Sequence, residues 1–108
     1  MAEKKIIKVG LLGLGIVGTG VARILTSNGK IISQRSGADI ALVSVAVRDT
    51  SRARDVELPA GVITDDARSV VDSPDIDIVV ETIGGEEPAR EYIASALASG
   101  KHVVTSNK

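Results

Sequence analysis

The stretch Lys8-Val9-Gly10-Leu11-Leu12-Gly13-Leu14-Gly15-Ile16-Val17-Gly18 restricts what this chain can fold into more than any other. Ile6 to Leu12 are mostly apolar and rich in Val, Ile and Leu. That composition belongs to a parallel strand covered on both faces. Gly13, Gly15 and Gly18 then fit G-x-G-x-x-G. The first glycine permits a tight turn, the second lets a pyrophosphate approach the backbone, and the third lets a helix pack close to the strand. The helix that follows aims its free N–H groups and positive dipole end at the phosphates. The chain holds 11 glycines, so a chance match is cheap. The motif gains weight from its place after a strand and before a helix.

The same alternation runs on. Ile16 to Thr26 reads as a helix, with Val17, Val21, Ile24 and Leu25 near one face and Gly29 as a possible end. Ile40 to Val47 is a second apolar strand, followed by a short helical turn capped by Asp49 or Thr50. Val62-Ile63-Thr64 is a short third strand. Thr64 or Asp65 caps a helix through Val71, which ends before Pro74. Ile76 to Glu81 is the fourth strand, broken by Gly84-Gly85. Glu86 to Ser99 is the last helix, with Ala89, Tyr92, Ile93, Ala96 and Leu97 as its buried stripe and Gly100 after its end. Lys101 to Thr105 is the fifth strand. Strand–helix alternation of this kind gives a Rossmann-like, doubly wound α/β fold with a parallel sheet in the order 3-2-1-4-5. Ligands then bind at the carboxyl ends of strands one and four, where the order reverses. The chain reads as one domain over residues 1–108, expected to be the first domain of a longer enzyme.

Bulk properties remove several function classes. A formal net charge of −1 gives no electrostatic support to a nucleic-acid or anionic-membrane partner. With no cysteine and one histidine, disulfides, thiolate catalysis and a Cys- or His-built metal site are excluded. No apolar run reaches the length needed to span a bilayer, and the lysines before Ile6 are followed by no cleavage-site pattern. A cytoplasmic protein is expected.

Four positions carry candidate chemistry. An acidic residue at the end of strand two takes the ribose hydroxyls of NAD, whereas an arginine there accommodates the 2′-phosphate of NADP. Here Arg48 comes first and Asp49 second; Arg48 favours NADP(H), with NAD(H) as the alternative, and a solvated loop is the bland reading. Glu81, at the end of strand four, is either a carboxyl group with a functional pKa or one that meets nearby backbone N–H groups. Gly84-Gly85 allows close approach to a ribose or nicotinamide, or is a simple turn. Lys108 follows the fifth strand on the ligand edge, where a cation polarises a carbonyl or donates a proton. His102 reads as structural.

The segments Gly13 to Val21, Val45-Ala46-Val47-Arg48-Asp49, Val80-Glu81-Thr82-Ile83-Gly84-Gly85 and Ser99 to Lys108 together resemble the N-terminal domain of the homoserine dehydrogenases. The resemblance spans essentially the whole chain. It implies reversible reduction of aspartate semialdehyde to homoserine with NAD(P)H, on the branch to threonine and methionine, by a full-length homo-oligomer. It also implies roles: Gly13, Leu14, Gly15, Ile16, Val17 and Gly18 hold the pyrophosphate, and Arg48 meets the adenosine 2′-phosphate. Thr82, Ile83 and Gly84 line the nicotinamide side, and Ser106 and Lys108 lie beside it, with Lys108 tied to cofactor binding and proton transfer. The substrate-binding carboxylates and a second catalytic lysine lie in a later domain. Two other readings stay open. One is the first domain of a different two-domain oxidoreductase, of the glucose-fructose oxidoreductase-like or aspartate dehydrogenase kind. The other is a non-catalytic nucleotide-sensing domain.

Overall fold

A computed structural model describes residues 5–27, 38–48, 50, 58, 61–83 and 89–106. The elements in chain order are β1 (Lys5–Leu12), α1 (Ile16–Ser27), β2 (Ala38–Ala46), β3 (Ile63–Thr64), α2 (Ala67–Val71), β4 (Ile78–Glu81), α3 (Ala89–Ala98) and β5 (His102–Thr105). The strands form one sheet in the order β3-β2-β1-β4-β5, and every pairing is parallel. This is the order expected from the sequence. The helical turn expected after β2, the helix end at Gly29 and the start of the last helix at Glu86 lie outside the described residues.

The core follows from period-two alternation in strands buried on both faces. Leu11 stands beside Val45 and Val80, and Leu12 stands beside Ala46 and Glu81. Leu11, Val45 and Val80 pack with Ala22 and Val21 of α1 on one face. Leu12, Ala46 and Val79 pack with Val70 and Val71 of α2 and Ala96 of α3 on the other. Helices thus cover both faces, as the doubly wound reading requires. Each fully buried Val or Leu contributes about 1.5–3 kcal/mol from the area it hides. The β1–β2 register shifts between Val9 and Gly10, a bulge that the apolar pattern did not announce.

Three local expectations are corrected. In α1, Val21 and Leu25 are half-buried, but Val17 and Ile24 are exposed, and the inward face runs through Gly18 and Ala22 instead. Small residues sit there because the helix lies close to the glycine turn and the sheet. The cap of α2 is Asp66, not Thr64 or Asp65: its carboxyl accepts the Ser69 N–H at 3.2 Å. Such a cap contributes about 1 kcal/mol. Thr64 Oγ1 accepts the N–H of Asp66 at 3.1 Å and so holds the cap itself. In α3, Ala89 and Ala96 are buried, whereas Leu97 faces outward. The helix ends as expected at Gly100: Gly100 N–H donates to Leu97 O and Lys101 N–H to Ala96 O, both at 3.0 Å. That pair of bonds defines a Schellman motif.

Candidate functional site

The parallel order brings the carboxyl ends of β1, β2, β4 and β5 to one edge. The glycine turn leaves β1 there, Arg48 follows β2, Thr82 and Ile83 follow β4, and Ser106 follows β5. Strand order reverses between β1 and β4, the place where open α/β sheets bind ligands. Gly84 and Lys108, both singled out from the sequence, lie outside the described residues.

The turn is fastened from both sides. Gly13 N–H donates to Ala46 O at the end of β2, 2.8 Å away. Thr82 N–H donates to Leu12 O at 2.9 Å. The Thr82 hydroxyl lies 2.9 Å from Leu12 O and 3.1 Å from Gly13 O, sharing its proton between the two carbonyls. Gly13 has φ +94°, which a side chain would strain. At Gly18 a Cβ would stand 2.2 Å from Gly13 O, so the helix can start this close to the strand only with glycine there.

The start of α1 suits an anion. Its first intrahelical bond runs from Thr19 N–H to Gly15 O, at 2.8 Å. The N–H groups ahead of it have no intrahelical acceptor. The first turn carries no acidic residue that would compensate the positive end of the dipole. Open space surrounds Gly15, where a Cβ would meet nothing within 4 Å, and Ile16 is 96% exposed. Leu14 is different: its side chain is buried in the core under α1, so only its main chain is left to face a ligand.

Arg48 is exposed and makes no hydrogen bond or ion pair with any described residue. Ile83 is half-buried and packs against the core between the sheet and α2 and α3. The Ser106 N–H donates to Glu81 O at 3.0 Å, carrying the β4–β5 ladder one residue past the strand. Glu81 itself is fully buried, and its carboxyl accepts the Thr105 hydroxyl at 2.5 Å. The sequence reading gave Thr105 no partner. The signal was there in principle, since Glu81 and Thr105 share a register position, but that register is visible only once β4 and β5 are paired. Among the described residues no group of His, Cys, Asp or Glu could hold a metal ion. No described helix is long and apolar enough to cross a membrane.

Sheet order, glycine turn and helix start together define a domain of the Rossmann, dinucleotide-binding type. Comparison with known proteins narrows this. The family model for the homoserine dehydrogenase NAD-binding domain matches residues 13–108. Homoserine dehydrogenase of Methylobacillus glycogenes is 50% identical over 104 residues, covering 96% of this chain and 25% of the relative. The enzyme of Bacillus subtilis (strain 168) is 44% identical over 104 residues, covering 96% and 24%. Among solved structures, a homoserine dehydrogenase from Thiobacillus denitrificans superposes with a TM-score of 0.86 at 50% identity, over 96% of this chain and 24% of that one. Homoserine dehydrogenase of S. aureus at pH 6.0 gives 0.87 at 36% identity, over 95% and 27%. The chain belongs to the homoserine dehydrogenase NAD-binding domain family. It spans about a quarter of the length of the relatives it matches.

The fastening of the turn has a measurable consequence. In the full-length protein, Thr82→Val keeps the shape of the side chain and leaves Leu12 O and Gly13 O without the hydroxyl donor. Leu12 O keeps the Thr82 N–H, so the expected loss is about 1–3 kcal/mol, the cost of removing the hydroxyl donor from Gly13 O. It should divide between melting temperature and dinucleotide affinity, read by thermal denaturation and calorimetric titration. Thr82→Ser should recover most of both.

Proposed function

We propose that this chain is the cofactor-holding part of an enzyme that interconverts L-homoserine and L-aspartate 4-semialdehyde, with NADP(H) preferred over NAD(H). The supporting observation is the meeting of the glycine turn, Arg48, Thr82–Ile83 and Ser106 on one sheet edge in a chain of this family. The full-length protein would work on small molecules in the cytoplasm as a homo-oligomer, in threonine and methionine biosynthesis.

The bound nicotinamide supplies the hydride. What this chain supplies is placement. The main chain from Gly13 to Gly18 takes the pyrophosphate on free N–H groups at the helix start. Arg48 takes the 2′-phosphate through its guanidinium. Thr82, Ile83 and Gly84 border the nicotinamide, and Ser106 lies beside it. Lys108 donates or polarises at the substrate carbonyl oxygen as the alcohol forms. Transfer requires reacting atoms about 3–3.5 Å apart, so the relative position of these strand exits sets the rate. The test is aspartate-semialdehyde-dependent oxidation of NADPH by the full-length protein, followed by absorbance, with homoserine-dependent reduction of NADP as the reverse. Absence of both reactions overturns the proposal.

Arg48 decides the dinucleotide. Arg48→Ala should weaken NADPH binding by about 1.5–3 kcal/mol, the worth of hydrogen bonds to a charged group. NADH binding should stay nearly unchanged, because NADH has no 2′-phosphate for the guanidinium to meet. Titrations with both cofactors check this; equal losses would refute the assignment.

A further inference from the structure

We propose that Thr19 is a positioning residue for the dinucleotide: it fixes two peptide planes of the glycine turn so that their N–H groups stand ready for the pyrophosphate. The proposal deepens the cofactor reading given above and rests on it.

The first observation is where the Thr19 hydroxyl goes. A threonine inside a helix ordinarily bonds a carbonyl three or four residues back on its own helix. Thr26 of α1 does this: its hydroxyl lies 2.8 Å from Ala22 O and 3.4 Å from Arg23 O. The Thr19 hydroxyl instead reaches five residues back, out of the helix and into the turn, and donates to Leu14 O at 3.1 Å. The helix gains nothing from this choice of residue, since alanine forms helix better than threonine. The hydroxyl serves the turn.

The second observation is what Thr19 holds. Its main-chain N–H donates to Gly15 O at 2.8 Å, while its side chain holds Leu14 O. Two consecutive carbonyls thus end on one residue. A trans peptide is planar, with its C=O and N–H pointing opposite ways. Anchoring Leu14 O and Gly15 O at Thr19 therefore turns the N–H groups of Gly15 and Ile16 away from it. Neither N–H has an acceptor among the described residues. Gly15 has open space around it and Ile16 is exposed. These two donors are left for an anion at the helix start.

The third observation is why a clamp is needed. Glycines flank Leu14 on both sides, and glycine leaves the adjoining backbone easy to rotate. The upstream side is fastened, because Gly13 O meets the Thr82 hydroxyl and the Leu14 side chain is buried in the core. On the downstream side, the Leu14–Gly15 peptide is held by the Thr19 hydroxyl. Without it, only a fraction of molecules present the Gly15 N–H correctly. The apparent dissociation constant rises as that fraction falls. NADPH and NADH share the pyrophosphate, so both lose alike, which separates Thr19 from Arg48.

The experiment uses the full-length protein with Thr19→Val, Thr19→Ala and Thr19→Ser. Thr19→Val keeps the shape and removes the donor; Thr19→Ala removes the donor and favours the helix. Both should raise the dissociation constants of NADPH and NADH about tenfold and to a similar extent, read by calorimetric titration. KM for NADPH should rise with them, while kcat at saturating NADPH stays within about threefold, as expected when binding alone is weakened. Thr19→Ser should restore both affinities. Wild-type affinities in Thr19→Val and Thr19→Ala overturn the proposal. So does a loss confined to NADPH, a loss confined to kcat or melting temperature, or a loss that Thr19→Ser fails to restore. A wild-type protein that binds neither dinucleotide overturns the cofactor reading, and the role of Thr19 with it. A protein that binds both and turns over no aspartate semialdehyde overturns the activity alone, and the titrations decide Thr19.

Discussion

Gly18→Ala in the full-length enzyme is expected to weaken dinucleotide binding at least about a hundredfold, equivalent to about 2.7 kcal/mol. The added Cβ would lie 2.2 Å from Gly13 O, 2.9 Å from Gly13 C and 2.8 Å from Thr82 Oγ1. The nearest of these is backbone, and that backbone is held by β2 through Ala46 and by β4 through Thr82. The turn cannot retreat without breaking those bonds, so α1 must move outward. Overpacking of this kind costs about 1–3 kcal/mol in stability. The same movement carries the free N–H groups of the first helical turn away from the phosphates, and that adds the affinity loss. Calorimetric titration with NADPH and a thermal melt measure the two effects separately. Wild-type affinity in a folded Gly18→Ala enzyme would show that the helix start is not the phosphate site.

The second large effect concerns the 108-residue chain by itself. It is expected to bind NADP(H) weakly and to show no measurable reduction of aspartate semialdehyde. The described carboxyl edge offers the free N–H groups of the turn, the exposed Arg48 guanidinium and the exposed Ser106. An amino-acid substrate needs a carboxylate partner for its ammonium group. The carboxyl at the end of β4, Glu81, is fully buried. Hydride transfer also needs the aldehyde held within about 3.5 Å of the nicotinamide. Relatives of this chain are about four times as long, and the remaining length is where we place the substrate clamp. An assay of the isolated chain at saturating NADPH, beside the full-length protein, checks this. Turnover by the isolated chain would place the substrate site within these residues.

The strands and their order were legible because parallel strands covered on both faces write themselves as continuous apolar runs, as Ile40 to Val47 does. The glycine turn was legible because two of its glycines answer separate steric demands, a positive φ at Gly13 and the close approach of the helix start to Gly13 O at Gly18. What escaped the sequence depends on contacts between distant segments. Helical periodicity favoured Val17 and Ile24 as the inward face of α1, but close approach to the turn selected Gly18 and Ala22. The sequence pattern pointed to Thr64 or Asp65 as the cap of α2, whereas the carboxyl that meets the Ser69 N–H is that of Asp66. The bonds from the Thr82 hydroxyl to Leu12 O and Gly13 O join residues seventy and sixty-nine apart in the chain. The Glu81–Thr105 bond needed the β4–β5 register, which no local pattern fixes.

Arg48 stands apart from everything that holds the domain together. It is exposed, it follows the end of β2, and neither of the two cores includes it. Surface substitutions away from packed or bonded features usually change stability by no more than about 0.5 kcal/mol. The residue we assign to choosing between two dinucleotides is therefore free to vary while the phosphate cradle and the sheet stay as they are. A lineage could trade one electron carrier for the other in a few steps, with each intermediate still folding, and match the enzyme to whichever reduced pool its cell keeps fuller.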